Sequence, residues 1–496
     1  MKNNKFKWLS ALTLATTPVV FLAACASTAA SETNSKLFEA MSKDQLAINL
    51  KTSLAGYSTE AMEIISNKQE ISQQSKDLID AFNKFYGTKL SYTQIGGSTD
   101  YGQFLATKFA NGVGNVLLLS GGSLAGFQDQ DNILIDTPSS KMLANETSTI
   151  GQYVVGNKRY MAQTIESYGV IYNRDAFQKA KITVFEGQPF ETTQTKPAEL
   201  PADKPQNYNG TIKVGETLYV FTDDLNLEGW KAIISQVKNA GLKPFYTTSK
   251  ATSGNIWPLT NHLLGAVVTA QTGLKPSNLT ELQDAEKVLT DSVMQGMKDG
   301  LEIYGQNETY NRNTNTVDIA MQQVAFGREY AMSQNGTWAT PQIKQANPNA
   351  NVGFLPLPVF DATSKTSKIV KTVSQRWGAT TLANDPAKLK TAQLFLQFLY
   401  QTKSGAEYAA NEMQLSTPYG QVSGVSLEIN DPLSKSQSQY LDSDIIESVD
   451  NYFVQGFNNQ NQVLVSAVNS GFANPTEEKT KLTAEWNRLK NSATDK

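Results

Sequence analysis

Apolar positions along most of the chain switch repeatedly between a period of two and a period of three to four. Gln45–Lys51 (QLAINLK) alternates apolar and polar residues and predicts a strand. Ser75–Tyr86 (SKDLIDAFNKFY) places Leu78, Ile79, Phe82 and Phe85 on one helical face, with Gly87 as a C-terminal stop. Lys89–Ile95 then predicts a strand, Tyr101–Phe109 a helix and Val116–Leu119 a buried strand. Further on, Leu282, Ala285, Leu289, Val293 and Met297 predict one long amphipathic helix, and Lys388–Tyr400 another. Gly187–Gly215 interrupts the pattern with Pro189, Pro197, Pro201 and Pro205, and strand-like spacing resumes at Thr217–Thr222. The interruption reads as a surface insertion. Alternating strands and helices of this kind indicate an α/β fold.

The first 25 residues have a different character. Lys2, Lys5 and Lys7 precede an uncharged stretch from Trp8 to Ala24, 17 residues long. That is the layout of a secretory signal, and it is short for a membrane-spanning helix of about 20 residues. It ends in Leu22-Ala23-Ala24-Cys25, which resembles the lipobox of bacterial lipoproteins. The resemblance implies cleavage after residue 24 and acylation of Cys25, a diacylglyceryl or palmitate-bearing anchor on the outer face of the bacterial cell membrane. An uncleaved membrane anchor with an incidental cysteine is the alternative. Residues 25–42, small and polar at first, predict a flexible tether.

Composition narrows the chemistry. A chain of 496 residues is long for a single core, and 40% hydrophobic with 18% charged residues suits a folded, water-soluble protein. Lys and Arg number 43 against 46 Asp and Glu, so no basic excess points to a nucleic-acid partner. A single cysteine and a single histidine exclude a disulfide framework, a Cys/His zinc site and a Cys–His catalytic pair. Neither a phosphate-cradling G-x-x-x-x-G-K-[ST] loop nor a G-x-G-x-x-G fingerprint is present. Asp129-Gln130-Asp131-Asn132 opens like a calcium loop but lacks the glycine and distal glutamate that would complete it. No cofactor and no metal are expected.

Two candidate chemistries remain. Ser120-Gly121-Gly122-Ser123 follows a buried strand, where a hydrolase nucleophile could sit, yet Ala125 breaks G-x-S-x-G. The lone imidazole, His262, lies among apolar neighbours and reads as a packed residue. Glycosidase chemistry needs only a carboxylate pair, so a surface-anchored hydrolase stays open as the alternative function. Against it stand the aromatics: Trp257, Trp338 and Trp377 sit beside Pro, Thr or Gly rather than in helical stripes. An aromatic face that covers a sugar ring, with amides and carboxylates to bond its hydroxyls, suits a small polar ligand.

Several segments taken in order resemble the extracellular family 1 solute-binding proteins of ABC importers, the maltose-binding-protein-like class. Tyr160–Asp175, ending in Ile171-Tyr172-Asn173-Arg174-Asp175, is similar to the family's interlobe strand and I-Y-N-K-D turn. Glu228-Gly229-Trp230 with the helix and strand after it resembles the T-W-x-E-h region. Phe326–Trp338 (FGREYAMSQNGTW) resembles the F-x-x-G-x-x-A-M-x-x-x-G-x-W signature, followed by Val352–Pro358 as the G-x-x-P-h-P return strand. Trp377-Gly378-Ala379-Thr380 resembles the re-entry into the first lobe.

The resemblance implies a two-lobed periplasmic-binding-protein-like fold of type II, with lobes built from discontinuous segments around a ligand cleft. On that frame the first lobe takes 43–158 and 372–422, and the second takes 159–371 and 423–496, with the insertion at about 187–215. It implies a monomeric, non-enzymatic receptor that passes a sugar or oligosaccharide to an ABC permease. Glu166 falls where the family has a carboxylate for sugar hydroxyls, Trp338 where a ring stacks, and Trp257 near a cleft loop. Trp377, Ser53, Ser120 and Ser123 complete the expected ligand contacts. The charged and aromatic first-lobe contacts of maltodextrin binders are missing, which argues against maltose itself.

Overall fold

The computed structural model describes residues 34–494, apart from 69–70, 96–100, 122–123, 125–130, 147–151, 156–157, 192, 194–195, 249–255, 306–315, 417–418, 420–430, 441–444, 455 and 459–460. Two strands organise it. Lys158–Asn173 and Ser367–Ala379 are much longer than their neighbours and pair antiparallel, with Trp377 opposite Met161, Thr372 opposite Glu166 and Val370 opposite Tyr168.

At one end of this pair, Arg376–Ala379 runs antiparallel to Val116–Gly121. Val116–Gly121 is parallel to Ala61–Ser66, which is parallel in turn to Lys89–Gln94. At the other end, Lys158–Asn173 pairs with Tyr330–Gly336 and Val352–Leu355, and Tyr330–Gly336 with Lys243–Phe245. A single mixed sheet therefore runs through both halves of the molecule.

The apolar cores divide at the same place. Met62, Ile64, Phe82, Leu117, Phe395 and Phe398 belong to one cluster. Trp230, Phe245, Val267, Met297, Phe453 and Trp486 belong to another. On the crossing strands between them, a separate apolar cluster holds only Ala162, Ile165 and Val373. Two cores joined through so little apolar contact are two lobes, and the strands that join them are where bending costs least packing. This is the α/β, two-lobed architecture expected from the sequence.

Most expected elements are present within about three residues at either end: helices Ser72–Tyr86, Tyr101–Lys108 and Pro386–Gln401, and strands Lys89–Gln94, Val116–Gly121 and Thr217–Phe221. Three expectations need correction. Gln45–Ser53 is a helix rather than a strand, because the Asp44 carboxylate accepts from the Leu46 and Ala47 amides and caps it. Its inward residue is Ala47, while Ile48 stays exposed, so the apparent alternation was not a buried face. The expected tether is also helical over 34–43, with Leu37 and Met41 buried in the first-lobe core. Finally, Leu282–Met297 is broken into Glu281–Gln283, Ala285–Val288 and the start of Asp291–Tyr304. Asp284 and Thr290 each cap a new helix there, although all five apolar residues are buried as expected.

The proline-rich segment contributes structure of its own. Thr211–Val214 pairs antiparallel with Thr217–Phe221, which pairs with Ile182–Phe185 in a separate three-stranded sheet. Phe190, Leu200, Ile212, Tyr219 and Phe221 form its small core.

Candidate ligand site

Asn173 ends the first crossing strand, and its side chain serves two elements. Its Oδ1 accepts from the Ala176 amide and caps helix Arg174–Lys179, while its Nδ2 donates to the Val324 carbonyl. Gly327, in the left-handed region at φ 58°, terminates helix Val317–Phe326 beside it. A Cβ on Gly327 would lie 2.3 Å from Asn173 Cγ, so only glycine fits both the turn and the contact. The strand that follows, Tyr330–Gly336, is thereby aligned on Lys158–Asn173 and carries the chain to Trp338.

Trp338 joins three other rings. Tyr168, wholly buried on the crossing strand, stacks on His262 with ring centres 4.2 Å apart and planes 26° from parallel. Trp257 meets His262 edge-on at 4.6 Å, and Trp338 meets it edge-on at 5.7 Å. Trp257 and Trp338 lie 6.1 Å apart. The tryptophans of the described residues divide clearly. Trp230, Trp377 and Trp486 are buried in the cores, whereas Trp257 and Trp338 keep partly exposed faces.

Polar atoms without partners occur on the segments that carry these rings. Among the described residues, Gln334 Oε1, Asn335 Nδ2, Thr337 Oγ1, Asn261 Oδ1 and His262 Nδ1 are buried with no hydrogen-bond partner. Such atoms are rare inside proteins and are met elsewhere by water or ligand. The surrounding frame is firmly bonded: Gln334 Nε2 donates to the Pro258 carbonyl at 2.8 Å, and Tyr168 Oη donates to the His262 carbonyl at 3.3 Å. Burial alone pushes the His262 imidazole down from 6.5 to about 3, while burial, with the Asp450 carboxylate adding to it, holds the Tyr168 hydroxyl well above the usual phenol range.

Glu166 lies two residues before Tyr168, and its carboxylate is engaged. Lys68 Nζ, just beyond strand Ala61–Ser66, donates to Glu166 Oε1 at 2.5 Å, with both side chains almost fully buried. Farther along the partner strand, opposite Ala162, the Arg376 guanidinium, 1% exposed, donates to Tyr452 Oη of the second lobe at 3.0 Å. Both contacts lie at the crossing.

The remaining expected contacts are placed differently. Trp377 is 3% exposed in the first-lobe core, with its indole N–H donating to Tyr400 Oη at 2.8 Å, so its polar edge and both faces are occupied by protein. Ser120 is wholly buried, and its hydroxyl donates to Gln163 Oε1 at 2.6 Å. Ser53 is exposed at the end of a helix that packs on Pro386–Gln401 and Lys403–Asn411. Ser123 and Cys25 lie outside the described residues.

Tyr168, Lys68 and the unpartnered amides escaped the sequence reading. Tyr168 had a discoverable signal, a tyrosine in the middle of the interlobe motif. Lys68 had none, being one lysine among many. Among the described residues no group of three His, Cys, Asp or Glu side chains could hold a metal ion.

Aromatic faces and open polar atoms beside strands that cross between two lobes are the equipment of a binding protein. The sequence pattern of the bacterial extracellular solute-binding protein family matches residues 66–406. The chain belongs to that family. Its fold is similar to that of ligand-free RafE from Streptococcus pneumoniae, at 16% identity and a TM-score of 0.59, covering 87% of this chain and 99% of that one. RafE in complex with raffinose is similar to the same degree, with 16% identity, a TM-score of 0.60 and coverage of 87% and 100%. BlMnBP1, a binding protein of an ABC transporter from Bifidobacterium animalis subsp. lactis, was solved with mannobiose; it shows 14% identity, a TM-score of 0.56 and coverage of 87% and 95%. No curated protein sequence matches the chain.

Proposed function

We propose that this chain is the substrate-binding component of an ABC importer, and that it takes up a sugar or short oligosaccharide between its lobes. The observation that carries the reading is the pair of partly exposed rings, Trp257 and Trp338, on segments that also carry unpartnered buried polar atoms. Flat apolar faces with open donors and acceptors match a sugar, whose C–H face is apolar and whose rim is hydroxylated. A ligand touching both lobes favours the closed arrangement by its higher affinity for it, and a permease can read that closed shape.

The protein acts as a monomer, binds without turnover and is held by lipid at Cys25 on the outer face of the cell membrane. The basic, uncharged and Leu-Ala-Ala-Cys order of residues 1–25 supports the anchor. No helix among the described residues is long and apolar enough to cross a membrane.

Calorimetric titration with raffinose, mannobiose and diacetylchitobiose, with product analysis of the same samples, tests the reading. Saturable binding at one site with sugar recovered intact supports it, and release of shorter sugars would favour the hydrolase instead. For the anchor, Cys25→Ser should leave unlipidated precursor or released protein; normal acylated protein from that variant would defeat the assignment.

A further inference from the structure

Tryptophan faces explain how a ring could be held, but not what would select one sugar over another. His262 is placed to do so. It sits at the end of the π-helical turn Pro258–His262, a wide turn found mostly at functional positions. Three rings fix its plane: Tyr168 beneath it, Trp257 and Trp338 at its edges. Its Nδ1 is buried without a partner, whereas Nε2 is not among the buried unpartnered atoms and has no hydrogen bond from the described residues, so Nε2 is the ring nitrogen left accessible.

We propose that His262 is a specificity-determining ligand contact, a neutral imidazole that buries its Nδ1 lone pair and presents an Nε2–H donor to an acceptor oxygen of the sugar. The inference rests on the sugar-binding reading above and adds a named donor to it.

The tautomer follows from the unpartnered nitrogen. A neutral imidazole carries one ring proton, and its position is set by what each nitrogen can bond. On Nδ1 the proton would be a buried donor with no acceptor, the costlier orphan. On Nε2 it reaches the opening, and only a lone pair is left unsatisfied behind it. A second proton is resisted: burial alone pushes the group down to about 3, with no charged neighbour contributing. Tyr168, Trp257 and Trp338, the rings packed on it, carry no charge near neutrality, and the Asp450 carboxylate acts on Tyr168 rather than on the imidazole. A donor fixed in this way rejects a ligand that lacks an acceptor at that position, since the N–H would lose water without replacement.

His262 is the only histidine in the chain, so histidine labelled with nitrogen-15 reports on this ring alone. Long-range proton–nitrogen spectra of the ligand-free full chain should show Nε2 protonated and Nδ1 bare, unchanged between about pH 5 and 8. Saturation with whichever of raffinose, mannobiose or diacetylchitobiose binds should shift the Nε2–H resonance. His262→Phe, which keeps a flat ring, should weaken that sugar at least about fivefold while remaining folded.

An Nδ1–H tautomer, or an imidazole that titrates near 6.5, overturns the proposal. So does a bound sugar that leaves the resonance unmoved and the Phe variant's affinity unchanged, while the sugar reading itself survives. Failure of all three sugars to bind at millimolar concentration overturns the sugar reading and this inference together.

Discussion

Lys68 Nζ lies 2.5 Å from Glu166 Oε1, and this buried ion pair ties the first lobe to the strand that crosses into the second. Glu166 is therefore not an open carboxylate but half of a structural contact beside the aromatic cluster. Removing one partner of such a pair takes the nearest counter-charge from the buried group that remains, a loss that costs up to about 3–5 kcal/mol. Glu166→Gln should lower stability by that order, and Lys68→Met combined with Glu166→Gln should recover much of the loss. Urea unfolding of the single and double variants decides it. A single variant as stable as the parent would mean that the pair is solvated in solution.

Trp338 should fail in another way. Trp338→Ala removes a partly exposed face, and the stacking lost is worth roughly 0.5–1.5 kcal/mol beyond area burial. Affinity for a bound sugar should fall at least several-fold, with related sugars weakened together. Titration of the folded variant beside its melting temperature separates this from a packing defect, which would move the melting temperature and spare the affinity.

Trp377 provides the contrast. Trp377→Phe keeps an aromatic ring in the first-lobe core but deletes the N–H that donates to Tyr400 Oη, while Tyr400 still donates to the Gln163 carbonyl at 2.6 Å. Stability should drop by about 1–3 kcal/mol through the lost bond and volume. Sugar affinity of the folded variant should be unchanged. An affinity loss matching that of Trp338→Ala would return Trp377 to the ligand contacts.

His262 also predicts an acid sensitivity. Its folded-state value, about 3, lies below the 6.5 of the unfolded chain, so the unfolded state binds the extra proton between them. The contribution to stability is present in full above pH 6.5 and is lost as pH falls toward 3, by up to about 1.4 kcal/mol per pH unit. Between pH 6.5 and 5, where few carboxylates titrate, unfolding free energy should fall less steeply in His262→Phe than in the parent. Equal slopes would show that the imidazole is not held neutral.

Periodicity alone determined the α/β class, because a helix face or a buried strand is a property of neighbouring residues. Ser72–Tyr86 and Val116–Gly121 were legible for that reason. The ordered motifs around Asn173, Gly327 and Trp338 were legible too, since each must satisfy a turn, a cap or a close approach in its own segment. Gln45–Ser53 was misread because the cap at Asp44 outweighed a short alternation, and Asp44 is held by the Ser404 amide and hydroxyl from far along the chain. Three tryptophans looked alike in sequence, each beside a small or turn-forming residue. Only sheet register put Trp377 opposite Met161 and inside a core, while Trp257 and Trp338 met around His262. Lys68 and Glu166 are 98 positions apart, and no local pattern links them. Burial, charge pairing and the environment of the lone imidazole depend on which distant strands lie side by side, and that only the tertiary structure decides.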